Sequence, residues 1–195
     1  TSQDIAPHSI AIFHAATIAQ IQSNLGTKTC PVSTSLAGNN ATPAANAGLD
    51  YTIPISTPFI LTGSANDADP GDALTYCWEQ YNDCGSQTGA NSGASEIKTV
   101  GPNWRSWDPT ASPVRYFPIL ETVLANSPTT AGTGDDGIDV EALSSVARTL
   151  NFRLTVRDNV PYRASLPVTV GQTGFDDMRV TVSATAGPFL VTEPN

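Results

Sequence analysis

The ten residues Leu150-Asn151-Phe152-Arg153-Leu154-Thr155-Val156-Arg157-Asp158-Asn159 constrain this chain more than any other stretch. Leu150, Phe152, Leu154 and Val156 take every second position, and Asn151, Arg153, Thr155 and Arg157 fill the others. That is the period of a strand with one buried and one wet face. The segment Leu74 to Gln80 alternates in the same way and sets Leu74, Tyr76 and Trp78 on one face. Two such strands, each ending in turn-forming or acidic residues, predict an antiparallel sandwich. They point to a binding or spacer module rather than a complete enzyme.

Composition agrees with an all-β class. Only 7% of the 195 residues are aromatic and 14% charged, while 15 Gly and 15 Pro supply many turns and leave room for few long amphipathic helices. The length allows one good core with an appendage. Nine basic residues against eighteen acidic ones give a net charge of -9, which opposes binding to a phosphate backbone and excludes nucleic acid as the expected partner. No apolar run approaches the roughly 18 to 20 residues that span a bilayer. Thr1 is not followed by a basic region and an apolar stretch, so any signal peptide is expected to lie outside this sequence.

Pro7 to Leu25 reads as the one convincing helix. Ile10, His14, Ile18, Ile21 and Leu25 fall on a stripe at spacings of three and four, Phe13 lies at its edge, and Gly26 sits where a helix stop belongs. Such a stripe needs an apolar partner and is expected to dock on its own sandwich or on a second copy of the chain. Residues 31–48 have the Ser, Thr, Ala, Asn and Pro content of a linker. From 49 to 195 the pattern is β. Candidate strands are Tyr51 to Ile55, Phe59 to Gly63, Leu74 to Gln80, Val114 to Pro118, Arg148 to Arg157 and Met178 to Ala184, with Phe189 to Thr192 as a last edge. Between them, 119–146 reads as a surface excursion with a helical turn around Val140 to Ser145.

Among residues that carry chemistry, the acids are the leading candidates. Asp67, Asp69 and Asp72 lie in one loop, while Asp158, Asp176 and Asp177 flank the last strand connection; at one end of a sandwich these would converge. Oxygen ligands at that density suit Ca²⁺, with Asp67, Asp69, Asp72, Asp158 and Asp177 as the ligand set. The alternative is that the aspartates only accept backbone N–H bonds in a turn. Zinc chemistry lacks an inventory: His8 and His14 stand six apart and no third ligand is suggested. His14, on a helix stripe, is expected to be a packed, hydrogen-bonded residue. Trp104 and Trp107 would either stack on a sugar or protein ligand or cap an open end of the core. Cys77, facing outward because Trp78 faces inward, is close enough in sequence to Cys84 for a local disulfide, with two free thiols as the alternative; Cys30 has no evident partner.

Two resemblances follow from particular residues. Ala47-Gly48-Leu49-Asp50, Leu61-Thr62-Gly63-Ser64, Asp67 to Gln80 and Leu150 to Asn159, in that order, resemble the PKD-like, immunoglobulin-like repeats of secreted bacterial proteins. Pro70 is an extra residue within that family's acidic turn. Asp4 to Ser9 and Phe13 to Ile21 resemble the segment that closes the catalytic domain of bacterial reprolysin-like zinc metalloproteases, in which a PKD-like module often follows. The resemblances imply that residues 1–30 are the helical tail of a catalytic domain and that the parent is secreted. They also imply that this chain is noncatalytic, since H-E-x-x-H-x-x-G-x-x-H is absent. The expectation is therefore an immunoglobulin-like (PKD-like) β-sandwich with a short N-terminal α-helical appendage. Its partners would be the upstream catalytic domain and a protein or cell-surface substrate. The rival is a calcium-dependent adhesion or carbohydrate-binding module with no link to proteolysis.

Overall fold

A computed structural model describes residues 10–30, 36, 39, 41–83, 85–87, 89–134 and 137–187. The fold is all-β. Helix α1 (Ala15–Gly26) precedes β1 (Ala44–Asn46), β2 (Tyr51–Pro54), β3 (Phe59–Thr62), β4 (Ser64–Asn66), β5 (Thr75–Gln80), β6 (Val114–Phe117), a one-turn helix α2 (Leu120–Leu124), β7 (Thr129–Ala131), β8 (Asp139–Ala142), β9 (Arg148–Arg157) and β10 (Thr173–Ser183). One sheet has the order β2-β10-β9-β5, with β2 parallel to β10 and the other pairs antiparallel. Among the described residues there are also the two-stranded ladders β1-β4, β3-β6 and β7-β8.

The apolar half of the alternation in β9 does what its period requires, whereas the other face, expected to be wet, is covered: Thr155 is buried and Asn151, Arg153 and Arg157 are half-buried. Leu150, Phe152, Leu154 and Val156 are buried, and on β10 Met178, Val180 and Val182 join them. The β3-β6 ladder lies over this face, where Phe117 stacks on Phe59 at 4.9 Å and meets Phe152 edge-on at 4.8 Å. Each such side chain contributes roughly 1.5 to 3 kcal/mol on burial. Trp78 faces the same core, and Trp104 closes one side of it. Close backbone approach adds a constraint that apolar content does not carry. Gly174 in β10 has no Cβ because one would run into the carbonyl of Pro43, and the chain entering β1 crosses the sheet there.

Several expectations need correction. The linker expected over 31–48 contains β1, and both Asn39 and Ala47 are buried. Alanine and asparagine carry no strand period, so a three-residue strand held by its partner backbone leaves no trace in composition. The excursion over 119–146 is built into the body. Val140, Glu141, Ala142 and Leu143 are buried, and where a helical turn is expected over Val140 to Ser145 the chain runs as strand β8 up to Ala142 and as irregular structure after it. Helix α1 begins at Ala15 rather than Pro7, since His14 has extended backbone angles; residues 1–9 lie outside the described residues. Its stripe docks only at the first turns. Ala15 is buried, Ile18 and Ala19 line a small cavity together with Thr155 and Phe175 of the sheet, and Ile21 and Leu25 are exposed. The edge strand expected at Phe189 to Thr192 lies outside the described residues.

One polar cluster holds the second half of the chain together. Glu141, on β8, is fully buried, and its carboxylate accepts from Arg115 Nη2 at 2.8 Å, Trp107 Nε1 at 3.0 Å, Ile119 N at 2.9 Å and Thr130 Oγ1 at 3.1 Å. Removing one partner of a buried ion pair typically costs about 3 to 5 kcal/mol, because the other charge is left in the interior. Glu141→Gln should therefore lower the denaturant midpoint by a stability loss of about 3 kcal/mol without changing the slope of the transition. An unchanged midpoint would show that Arg115 finds water instead.

Candidate metal site at the acidic end

The loop between β4 and β5 turns through Asp67-Ala68-Asp69-Pro70-Gly71-Asp72. Asp67 Oδ1 accepts the N–H of Asp69 at 2.9 Å, the short local bond expected of an aspartate at the start of a turn. Asp69 Oδ2 accepts the N–H of Ala41 at 2.9 Å and so ties the incoming chain to the loop. One carboxylate oxygen from each of Asp67, Asp69 and Asp72 lies within 4.8 Å of the others. The local turn bond and the grouping of the three carboxylates are both present.

Asp158, at the end of β9, has a different task. It is buried, its Oδ1 accepts Gln172 N at 2.8 Å and Val160 N at 3.1 Å, and its Oδ2 accepts Asn39 Nδ2 at 3.2 Å. It thus staples both feet of the 159–172 loop and the incoming residue Asn39. Gln172 strengthens that join by donating from Nε2 to the carbonyls of Asn39 and Ala41. Asp158 stands close enough to Asp72 for its charge to be felt there. Loss of solvent, and then the charges of Asp158, Asp67 and Asp69, hold the Asp72 carboxyl above its ordinary value of 3.8.

Asp177 does not join the group. Strand β10 begins at Thr173, five residues earlier than the periodicity suggests, so Asp176 and Asp177 lie within the strand rather than in a rim loop. Asp177 faces Arg153 across the ladder and pairs with it through two bonds at 2.7 and 2.8 Å, while Asp176 accepts the N–H of Ala47. Asn39 was missed altogether, because a buried asparagine in a Ser- and Ala-rich stretch gives no sequence signal.

Three oxygens at this end are shut off from solvent and have no hydrogen-bond partner: Asp67 Oδ2, Asp72 Oδ2 and Asn39 Oδ1. Buried polar atoms are nearly always satisfied, by protein, water or an ion. The donor set is all oxygen, which suits Ca²⁺ with its six to eight hard ligands and does not suit Zn²⁺. Asp67, Asp69 and Asp72 would hold the ion directly, while the oxygens of Asp158 are already committed to three donors.

The other candidates resolve differently. Trp104 is buried in the core and Trp107 is half-buried with its N–H spent on Glu141, so neither presents an open ring for a sugar. Arg105 covers the face of Trp107 at 4.9 Å. Cys77 does point away from Trp78, yet it is buried as a free thiol because the Trp107 segment covers that side of β5; its Sγ lies 3.4 Å from the Trp107 carbonyl. Burial pushes the thiol up to about 11. Cys84, its expected bridging partner, lies outside the described residues, and Cys30 is an exposed free thiol. His8 is likewise outside, and His14 is hydrogen-bonded but half exposed. Comparison with protein-family models, with curated proteins and with solved structures gives no match to this chain.

The raised Asp72 carboxyl fixes the sign of a pH effect. The folded chain holds this proton more tightly than the unfolded chain does, so without metal the contribution of Asp72 is favourable at low pH. It is lost as pH rises through the window above 3.8. A bound cation reverses this, since it favours the ionised form. Millimolar Ca²⁺ at neutral pH should raise the melting temperature of the wild type by several degrees. A ligand at 100 times its Kd adds about 2.7 kcal/mol, and each kcal/mol is worth about 2–4 °C at this size. Asp72→Asn should raise the metal-free melting temperature at neutral pH and abolish the Ca²⁺ increment. Superimposable wild-type curves in Ca²⁺ and in chelator would reduce the loop to a turn.

Proposed function

We propose that this chain is a noncatalytic, immunoglobulin-like (PKD-like) β-sandwich module of a secreted bacterial zinc metalloprotease, which spaces the catalytic domain or holds protein or cell-surface substrate near it. The observation that carries this reading is the acidic end, where the segment arriving from the N-terminal side is bound into the body. Asn39 meets Asp158, Ala41 meets Asp69, and Gln172 holds the carbonyls of both. A spacer must transmit orientation, and a connector fixed at this end by hydrogen bonds, with Ca²⁺ added, has little freedom to swing. The order of the sequence blocks from Ala47 to Asn159 supports the fold assignment, and the segment around Phe13 to Ile21 supports the parent.

A second reading, a calcium-dependent adhesion or carbohydrate-binding module unrelated to proteolysis, draws on the loop between β9 and β10. Tyr162 is 71% and Leu166 86% exposed there, next to the Asp158 staple. Exposed apolar side chains on a tethered loop are suited to contact with a partner.

The two readings separate on the coding sequence upstream of Thr1. H-E-x-x-H-x-x-G-x-x-H in the same reading frame is the expected finding, and its absence from the complete frame removes the protease parent. The purified chain should show no zinc-dependent cleavage of casein. Cleavage that is lost on chelation and restored by Zn²⁺ would overturn the noncatalytic assignment.

A further inference from the structure

Glu79 is a buried carboxylate outside the acidic end, on the face of β5 that points away from the core and opposite Arg153 in the ladder. A buried carboxylate must be matched by donors, and among the described residues two of its three come from the segment that leads into α1. Oε2 accepts the backbone N–H of Ala15 at 2.8 Å, Oε1 lies 2.6 Å from His14 Nδ1, and Ser106 Oγ donates to Oε1 at 2.8 Å. Ala15 is the first residue of α1, and the side chain of His14 does not cap it. The free N–H groups and positive dipole end of a helix are ordinarily met by a residue just before it. Here the capping carboxylate stands 64 residues away in sequence, on the sheet.

Three further features make this contact the anchor of the helix. Arg157 Nη2 holds the carbonyl of Phe13 at 2.9 Å, so two neighbouring strands grip the chain on either side of His14. Arg153, which could otherwise neutralise Glu79, is turned to Asp177 in a two-bond ion pair and stacks on Phe175 at 3.8 Å. From Gln20 to Cys30 every residue is exposed, so among the described residues no side chain of the helix past Ile18 and Ala19 is buried against the body.

We infer that Glu79 is a clamp that holds Ile10 to Ala15 and α1 on the β body as a strap able to open as one unit, and thereby sets the direction in which an upstream domain is carried. What is carried rests on the accessory-module reading; the clamp itself is a property of this chain. Glu79 is a positioning residue. Its carboxylate satisfies the helix N-terminus, and the amide of a glutamine would turn an N–H₂ towards one of the donors that now face it.

Hydrogen exchange on the intact chain, followed by mass spectrometry, tests the clamp. In Glu79→Gln, peptides covering 13–22 should exchange at least about tenfold faster, the change expected when a charge-assisted hydrogen bond is lost from a local opening, while β9 and β10 peptides keep wild-type rates. His14→Ala, which removes the half-exposed donor and leaves the buried carboxylate in place, should act in the same direction to a smaller extent. Wild-type exchange over 13–22 in a folded Glu79→Gln overturns the clamp and leaves Ile18 and Ala19 as the anchor. Faster exchange in β9 and β10 together with 13–22 in His14→Ala overturns the strap as a separate unit. If Glu79→Gln does not fold, His14→Ala decides alone, and unchanged rates at 13–22 overturn the proposal. An upstream frame without the zinc motif would remove the protease parent and leave the exchange result untouched.

Discussion

The need to satisfy the charge of Glu141 inside the protein governs the architecture of the second half of the chain. Four donors from four places converge on that carboxylate: β6, the Trp107 segment, the start of α2, and β7. Arg115 brings its own requirements. It donates to the carbonyls of Trp78 and Arg105 and lies over the ring of Phe117 at 4.4 Å, so the ion pair is joined to the aromatic core on one side and to the covering segment on the other. Burial holds the Arg115 guanidinium below its ordinary value, and Glu141 is the main group that opposes this. A stretch of low apolar periodicity is thereby pulled into the body by polar bonds whose loss would leave charges stranded.

The same logic recurs at the two places where the N-terminal segment meets the β body. Asp158 and Asp69 hold Asn39 and Ala41, whereas Glu79 and Arg157 hold Ala15 and Phe13. In each case a side chain on a strand or strand end receives backbone or amide groups of an otherwise featureless chain. Apolar packing then adds little: Ala15 and Ala47 are small, and the larger side chains Phe13, Ile21 and Leu25 are exposed. Orientation of this segment depends on a few directional bonds.

Period-two alternation made β9 legible from end to end, because four large apolar residues must share one face whatever the partners are. The Trp78 face of β5 was legible for the same reason. The acidic loop could be picked out by residue type alone, since Asp67, Asp69 and Asp72 are too close in sequence to separate in space. Asp177 went astray because where a strand begins depends on its neighbour. Pairing with β9 extends β10 back to Thr173 and hands Asp177 to Arg153.

By itself the sequence determined the all-β class, the buried face of the central strand and the position of the acidic turn, since these follow from local period and local density of residue type. Only the tertiary structure decided that Trp104 and Trp107 are walls rather than ligand platforms, that Cys77 is covered, and that Asn39 and Glu79 are anchors. Each of those outcomes is set by what another segment, tens of residues away, lays over the side chain. Burial of a polar group is a relation between segments, and a single stretch of sequence does not contain it.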